Sequence, residues 1–318
     1  MIKVGLVGCG AVVHRMYTKG LLGRSAYRVA FVSDLDPAQA ASAAEVFDAQ
    51  AVDLDVLVDQ ADAIVVSPPP ATHAALVRAC LRPGRTVLCE KPYMTSGVDA
   101  AAVAREASEV GASLYVGHFR RAFPHLALAQ RLIGLGLIGD ITGVSACEGG
   151  RFTWRTVSDY PVRDIHGGVL WDTGSHTLDM ALFASGLDRV APDFAIEVLR
   201  VDKDKSEPSH DFLADFRLEI AGRPVDGHVH VSRKQSLPNL IEIAGTRGKV
   251  SFSAGLDDRI RITTEAGSEI VKAERAFEDL MEGFDLQLRH VLLKDRDGDF
   301  AADRFIGQVR LMEALANA

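Results

Sequence analysis

Lys3-Val4-Gly5-Leu6-Val7-Gly8-Cys9-Gly10-Ala11-Val12-Val13 lies at the start of the chain, and Val29-Ala30-Phe31-Val32-Ser33-Asp34 follows it. The first stretch is a short apolar run that passes directly into a Gly-x-Gly turn. The segment Ala11–Leu22 comes next, with apolar residues at helical intervals. Strand, glycine turn and helix in that order form the phosphate-binding element of dinucleotide folds. Gly8 permits the tight turn. Gly10 lets the backbone approach a pyrophosphate, whose charge meets amides at the helix N-terminus, so Gly8, Cys9, Gly10, Ala11 and Val12 are expected to hold the cofactor. Val13 replaces the third glycine of the fingerprint and is expected only to loosen helix–strand packing. The second run ends on Asp34, where a carboxylate binds the adenosine ribose. Asp34 would repel a 2′-phosphate and Leu35 offers no arginine to pair with one, so NAD is favoured over NADP. Asp34 could instead cap the following helix, but Asp36 suits the cap better and leaves Asp34 free.

Three further apolar runs, Ala63–Val66, Val87–Cys89 and Leu114–Val116, alternate with the helix-like segments Pro37–Phe47, Thr72–Leu81 and Val98–Val110. Near-continuously apolar strands separated by helices read as a doubly wound parallel sheet, an α/β Rossmann domain over residues 1–120. The texture then changes. Ile141–Cys147, Phe212–Ile220, Val225–Val231 and Asn239–Ala244 have strand character with alternation, so residues 121–318 are expected to form an α+β domain on a large, open, mostly antiparallel sheet. The tail, Phe277–Leu293 and Ala302–Ala316, returns to helical spacing and is expected to pack back on the first domain.

With 318 residues, 47% hydrophobic and 25% charged, the chain has room for about two domains. Its net charge of -8 and scattered Lys and Arg argue against nucleic-acid and anionic-membrane partners, and point to small molecules. Cys9, Cys80, Cys89 and Cys147 form no CxxC pair, so no disulfide framework or metal site is expected, and a reducing cytoplasm is. There is no signal-like N-terminal segment and no apolar run of membrane-spanning length.

Ser67-Pro68-Pro69-Pro70-Ala71-Thr72-His73, Glu90-Lys91-Pro92, Val116-Gly117-His118-Phe119-Arg120-Arg121 and Gly167-Gly168-Val169-Leu170-Trp171-Asp172-Thr173-Gly174-Ser175-His176-Thr177-Leu178-Asp179 complete the pattern. Together with the glycine loop they resemble the Gfo/Idh/MocA family, the glucose-fructose oxidoreductase and inositol dehydrogenase group, over nearly the whole chain. The resemblance implies an NAD-dependent oxidoreductase acting on a secondary alcohol of a sugar, cyclitol or nucleotide sugar, assembled as a homodimer or homotetramer. It also implies roles by position. Lys91 matches the catalytic lysine, Asp172 and His176 the acid and histidine of the second domain, and Ser67, Pro68, Pro69 and His73 the segment beside the nicotinamide ribose. Glu90 stands with Lys91 in the cofactor-binding motif. Some relatives instead hydrolyse glycosides through transient oxidation by NAD, and others are non-catalytic, nucleotide-responsive regulators.

These residue types suit the chemistry. Alcohol oxidation needs a base for the hydroxyl proton while hydride leaves carbon. His176 titrates in the useful range and follows Asp172 by four residues, so on a helix the carboxylate would orient the imidazole. Lys91 would leave a buried strand at the carboxyl edge of the sheet, where its ammonium can stabilise a developing alkoxide. Either is a candidate for the immediate base. Without the resemblance, Asp172 reads as a helix cap and His176 as an interior histidine. Arg120 and Arg121 are candidates for gripping substrate or for interdomain ion pairs. Trp154, Tyr160 and Arg163 lie in a candidate substrate loop, with ordinary loop packing as the alternative. His228 and His230 read as one surface of the open sheet, and no metal is proposed.

Overall fold

The computed structural model describes residues 1–151, 164, 166–190, 194–295 and 297–318, in two compact units. The first comprises residues 1–118 together with 284–305. Its sheet has six parallel strands in the order β3-β2-β1-β4-β5-β6: β1 (Ile2–Val7), β2 (Tyr27–Ser33), β3 (Gln50–Ala51), β4 (Ala63–Val66), β5 (Thr86–Glu90) and β6 (Ser113–Gly117). All of β4 and β5 is buried, as their continuous apolar character requires. Because β1 sits between β2 and β4, the strand order reverses there. The loops after β1 and β4 therefore open on the crevice where doubly wound sheets bind ligands. Two-residue β3, exposed throughout, and the helix Leu54–Gln60 have no counterpart among the expected elements.

The long helix Leu280–Leu293 enters this unit at Phe284, whose ring meets Tyr17 edge-on at 4.8 Å. A Cβ on Gly20 would lie 2.7 Å from a Leu288 methyl, so the two helices touch through a residue without a side chain. Ala301 then pairs with Tyr115 of β6. The tail expected to return to the first domain is divided, since residues 306–318 belong to the second unit. The break between units after β6 falls at 118/119, two residues before the expected boundary.

In the second unit, eight strands run in the order β14-β13-β12-β11-β7-β10-β9-β8, with β7 (Ile141–Gly149) and β10 (Arg223–Ser232) parallel and every other pair antiparallel. β9 (Asp211–Ile220) and β11 (Leu240–Gly245) were legible. β8 (Ala195–Lys203), β12 (Gly248–Ser253), β13 (Arg259–Thr264) and β14 (Gly267–Lys272) were not among the expected strands. Phe212, Ala214, Phe216 and Leu218 line the buried face of β9. Helices cover this face, among them Ser175–Ser185, in which every residue from Ser175 to Ala184 is buried. The opposite face stays half-exposed. There His228 pairs with Asp215 at 2.7 Å and His230 with Asp211 at 3.2 Å, beside a hollow of about 300 Å³ lined by Ser145, Asp215, His228 and Glu242. Among the described residues no helix is long and apolar enough to cross a membrane.

Candidate active site

Gly8 has φ +85°, and a Cβ there would fall 2.6 Å from the Pro68 nitrogen, so conformation and close approach both demand glycine. Gly10 differs. Its φ is ordinary and an added Cβ would meet nothing within 4 Å, so the protein itself has no packing use for a glycine here. A cradle that a side chain would fill is what a pyrophosphate lying on the loop requires. Val13 is fully buried and opens a π-helical turn, Val13–Tyr17, a widening often found at functional sites. Ser67, after β4, donates through its hydroxyl to the Gly8 carbonyl (2.7 Å) and through its amide to the Val7 carbonyl (2.8 Å).

Asp34 is not free. Its carboxylate accepts from the Cys9 amide (2.6 Å) and from the Asp36 amide (2.8 Å), while Asp36 caps its helix by accepting from Ala38 N. The acid expected at the ribose therefore also fixes the glycine loop. Burial, then the Asp34 charge, push the Cys9 thiol up to about 12, so it stays protonated and is no nucleophile.

Glu90 and His73 both face the protein interior. The buried Glu90 carboxylate accepts from the Tyr17 hydroxyl (2.7 Å) and from the Lys91 amide (3.0 Å). Burial raises Glu90 above the usual carboxylate range, and the Tyr17 hydrogen bond opposes this. His73 is completely buried, with Nδ1 3.1 and 3.0 Å from the Pro92 and Tyr93 carbonyl oxygens and Nε2 2.9 Å from that of Pro68. It ties the Ser67–Pro69 segment to the chain after Lys91. Tyr17, missed by sequence reasoning, joins the nucleotide helix to the Lys91 strand. Its only signal in the sequence was a tyrosine on the buried stripe of that helix.

Asp172 lies within a π-helical turn, Leu170–Gly174, that runs directly into the helix carrying His176, so it does not act as an N-cap. Its carboxylate is held by Arg233, with Nη2 2.7 Å from Oδ2. His176 is buried against the Phe119 ring, edge-on at 5.4 Å. Arg233 was absent from the sequence-derived candidates.

The arginine candidates are held by carboxylates. Arg120 forms a two-pronged pair with Glu148 (2.6 and 2.9 Å), and Thr177 donates to the same carboxylate. Arg121 has no exposed side-chain surface and lies 2.6 Å from Asp179 and 3.1 Å from Asp188. All these partners belong to the second unit. Trp154, Tyr160 and Arg163 lie outside the described residues. Among the described residues no group of three or more His, Cys, Asp or Glu is arranged to hold a metal ion.

Burial also sets a pH dependence. It pushes His73, and His125 whose Nε2 meets the Ser253 carbonyl at 3.1 Å, below the ordinary imidazole range. The unfolded chain then binds protons near pH 6.5 that the native histidines refuse, so their contribution to stability is complete above that pH and lost below it. Lowering the pH from about 7.5 to about 5.5 should depress the melting temperature less in His125→Gln than in the unsubstituted protein. Equal shifts would remove His125 from the effect.

The family described as "Oxidoreductase family, NAD-binding Rossmann fold" matches residues 2–118. An inositol 2-dehydrogenase of Rhizobium meliloti is 31% identical over 273 residues, 84% of this chain and 80% of that protein. The chain belongs to the Gfo/Idh/MocA family. It is accordingly a dehydrogenase or reductase acting on CH–OH groups. A 3-ketoreductase from Actinomadura kijaniata in complex with NADP and TDP-benzene shares the fold at TM-score 0.77 and 20% identity, over 99% of this chain and 97% of that one. So does an oxidoreductase from Agrobacterium radiobacter in complex with NAD+, L-tartaric acid and magnesium, at TM-score 0.75 and 22% identity, over 99% and 95%. The two carry different nicotinamide cofactors on one fold.

Proposed function

We propose that this protein transfers hydride reversibly between a secondary alcohol of a sugar, cyclitol or nucleotide sugar and NAD. The observation that carries the reading is the carboxyl edge of the parallel sheet. The glycine loop leaves β1 there and Lys91 leaves β5, its amide fixed by the Glu90 carboxylate. NAD would be held by Gly8, Cys9, Gly10, Ala11, Val12, Asp34, Ser67, Pro68 and Pro69. When bound, it supplies the hydride acceptor or donor. The chain supplies the proton chemistry: the Lys91 ammonium hydrogen-bonds the substrate oxygen and stabilises alkoxide character, His176 accepts the hydroxyl proton, and Asp172 accepts a substrate hydroxyl. The half-exposed outer face of the eight-stranded sheet supports assembly as a homodimer or homotetramer.

The direct test is NADH absorbance with the purified protein, NAD and a panel of inositols, free sugars and nucleotide sugars. Growth of absorbance with one compound identifies the substrate class. Silence across the panel, with NAD binding shown by fluorescence, refutes the dehydrogenase reading for those classes.

Cofactor choice gives a second test. Asp34→Asn keeps an oxygen to accept from the Cys9 amide and removes the charge that repels a 2′-phosphate. The ratio of NAD to NADP affinity should fall by roughly tenfold or more, since like-charge contacts cost several kcal/mol. Asp34→Ala should weaken both cofactors, because the glycine loop also loses its acceptor. An unchanged ratio in Asp34→Asn assigns cofactor choice to another residue.

A further inference from the structure

Arg233 stands one residue beyond the end of β10, far in sequence from Asp172, and three parts of the second unit converge on the pair. Its amide donates to the His210 carbonyl (2.8 Å), which fixes the backbone. Its side chain is 4% exposed, and Nη2 reaches Asp172 Oδ2 at 2.7 Å and the Gly167 carbonyl at 3.2 Å. The Gly167–Gly168 turn is pinned from the same side. Val169 N donates to the Ser209 carbonyl (2.8 Å), and a Cβ on Gly168 would lie 2.9 Å from that oxygen. The loop bearing Ser209 and His210 hangs on Asp204, whose Oδ1 accepts from Ser209 Oγ (2.8 Å) and His210 N (2.9 Å), and whose other oxygen meets Lys234. Burial works against the Asp204 charge, but Lys234, the Ser206 and Ser209 hydroxyls and the His210 amide outweigh it, holding the carboxyl well below the usual range.

Arg233 is a permanent cation at this carboxylate. Burial first, and Arg233 second, push the His210 imidazole down, so it is neutral near pH 7. Lys234 is engaged by Asp204, and His166 sits 3.5 Å from Asp164. A guanidinium does not lose its proton in proteins, and its planar fork fixes direction as well as charge.

We propose that Arg233 is a positioning residue that holds the Asp172 carboxylate ionised and aimed, so that Asp172 meets substrate only as a hydrogen-bond acceptor. The inference rests on the reading of Asp172 as a catalytic group, and it gives the distant Arg233 a share in that role. A lysine in its place would keep the charge but lose the fork, and a methionine would keep the bulk and lose both.

The test follows the Asp172 carboxyl carbon by NMR in 13C-aspartate-labelled protein, with the signal assigned through Asp172→Asn. Against the unsubstituted protein, Arg233→Met should raise the titration midpoint by about one pH unit or more, the usual effect of losing an adjacent cation, and Arg233→Lys by less. NAD fluorescence titration and thermal melting establish that each variant is folded. If Arg233→Met does not fold, the shift in Arg233→Lys against the unsubstituted protein decides. A midpoint unmoved in the folded variants overturns the inference, whatever the turnover. Turnover of Asp172→Asn tests the underlying reading separately: wild-type rates there remove Asp172 from catalysis and leave the Arg233 titration result standing.

Discussion

Lys91→Ala is expected to lower kcat by about 100- to 10,000-fold, the range over which a positioned proton-transfer or charge-stabilising group contributes, while NAD affinity changes little. The separation follows from how the residue is built in. Lys91 directly follows β5, and its amide is held by the Glu90 carboxylate, itself fixed by Tyr17 on the nucleotide helix. Truncation at Cβ leaves those backbone bonds in place and removes the ammonium with its aliphatic stem. His73 holds the chain after Lys91 through the Pro92 and Tyr93 carbonyls, so the loop should not collapse in the variant. The measurement pairs kcat on the panel substrate with NAD affinity by fluorescence. Lys91→Arg should rescue little, because a planar guanidinium cannot place a point charge where an ammonium was. Turnover near the unsubstituted level in Lys91→Ala would remove Lys91 from the mechanism. Parallel loss of turnover and NAD binding would make it a structural residue of the cofactor loop.

How legible these features were depends on where their partners lie. The parallel strands were readable because β4 and β5 are buried on both faces and so carry unbroken apolar runs. β14, at one edge of the second sheet, is exposed along nearly all its length, and in β8, at the other edge, a half-buried alternation is broken by the irregularity between Val198 and Arg200, so neither carried a clean strand pattern. Gly8 announced itself, since a positive φ beside a crossing backbone admits little else. The double duty of Asp34 was hidden, because the Cys9 amide reaches it only once β1 and β2 are paired. Arg233 was hidden for the same reason on a larger scale: β10 delivers it to Asp172, and nothing local to either residue signals the pair. For Arg120 and Arg121 the sequence left a substrate grip and interdomain ion pairs as alternatives, because the carboxylates that hold them, Glu148, Asp179 and Asp188, lie far off along the chain.

Those carboxylates make Arg121→Met the most destabilising substitution expected in the second unit. The guanidinium is enclosed, with Nε 3.1 and 3.0 Å from the two Asp179 oxygens, Nη2 2.6 Å from Asp179, Nη1 3.1 Å from Asp188 and the Phe183 ring 4.8 Å away. Both aspartates are 1% exposed. Removing the cation leaves two carboxylates in low dielectric, and breaking a buried pair in this way costs about 3–5 kcal/mol. That is a large part of the roughly 5–15 kcal/mol by which domains are stable. The charge, and not the lost volume, should dominate. Asp179→Leu and Asp188→Leu added to Arg121→Met should therefore restore much of the stability, as replacement of whole buried ion clusters by apolar side chains often does. Denaturant unfolding of the single and triple variants reads this directly. If Arg121→Met unfolds at the unsubstituted midpoint and instead raises KM alone, the guanidinium serves the substrate after all. If the triple variant is less stable than the single one, packing and not charge governs the cluster.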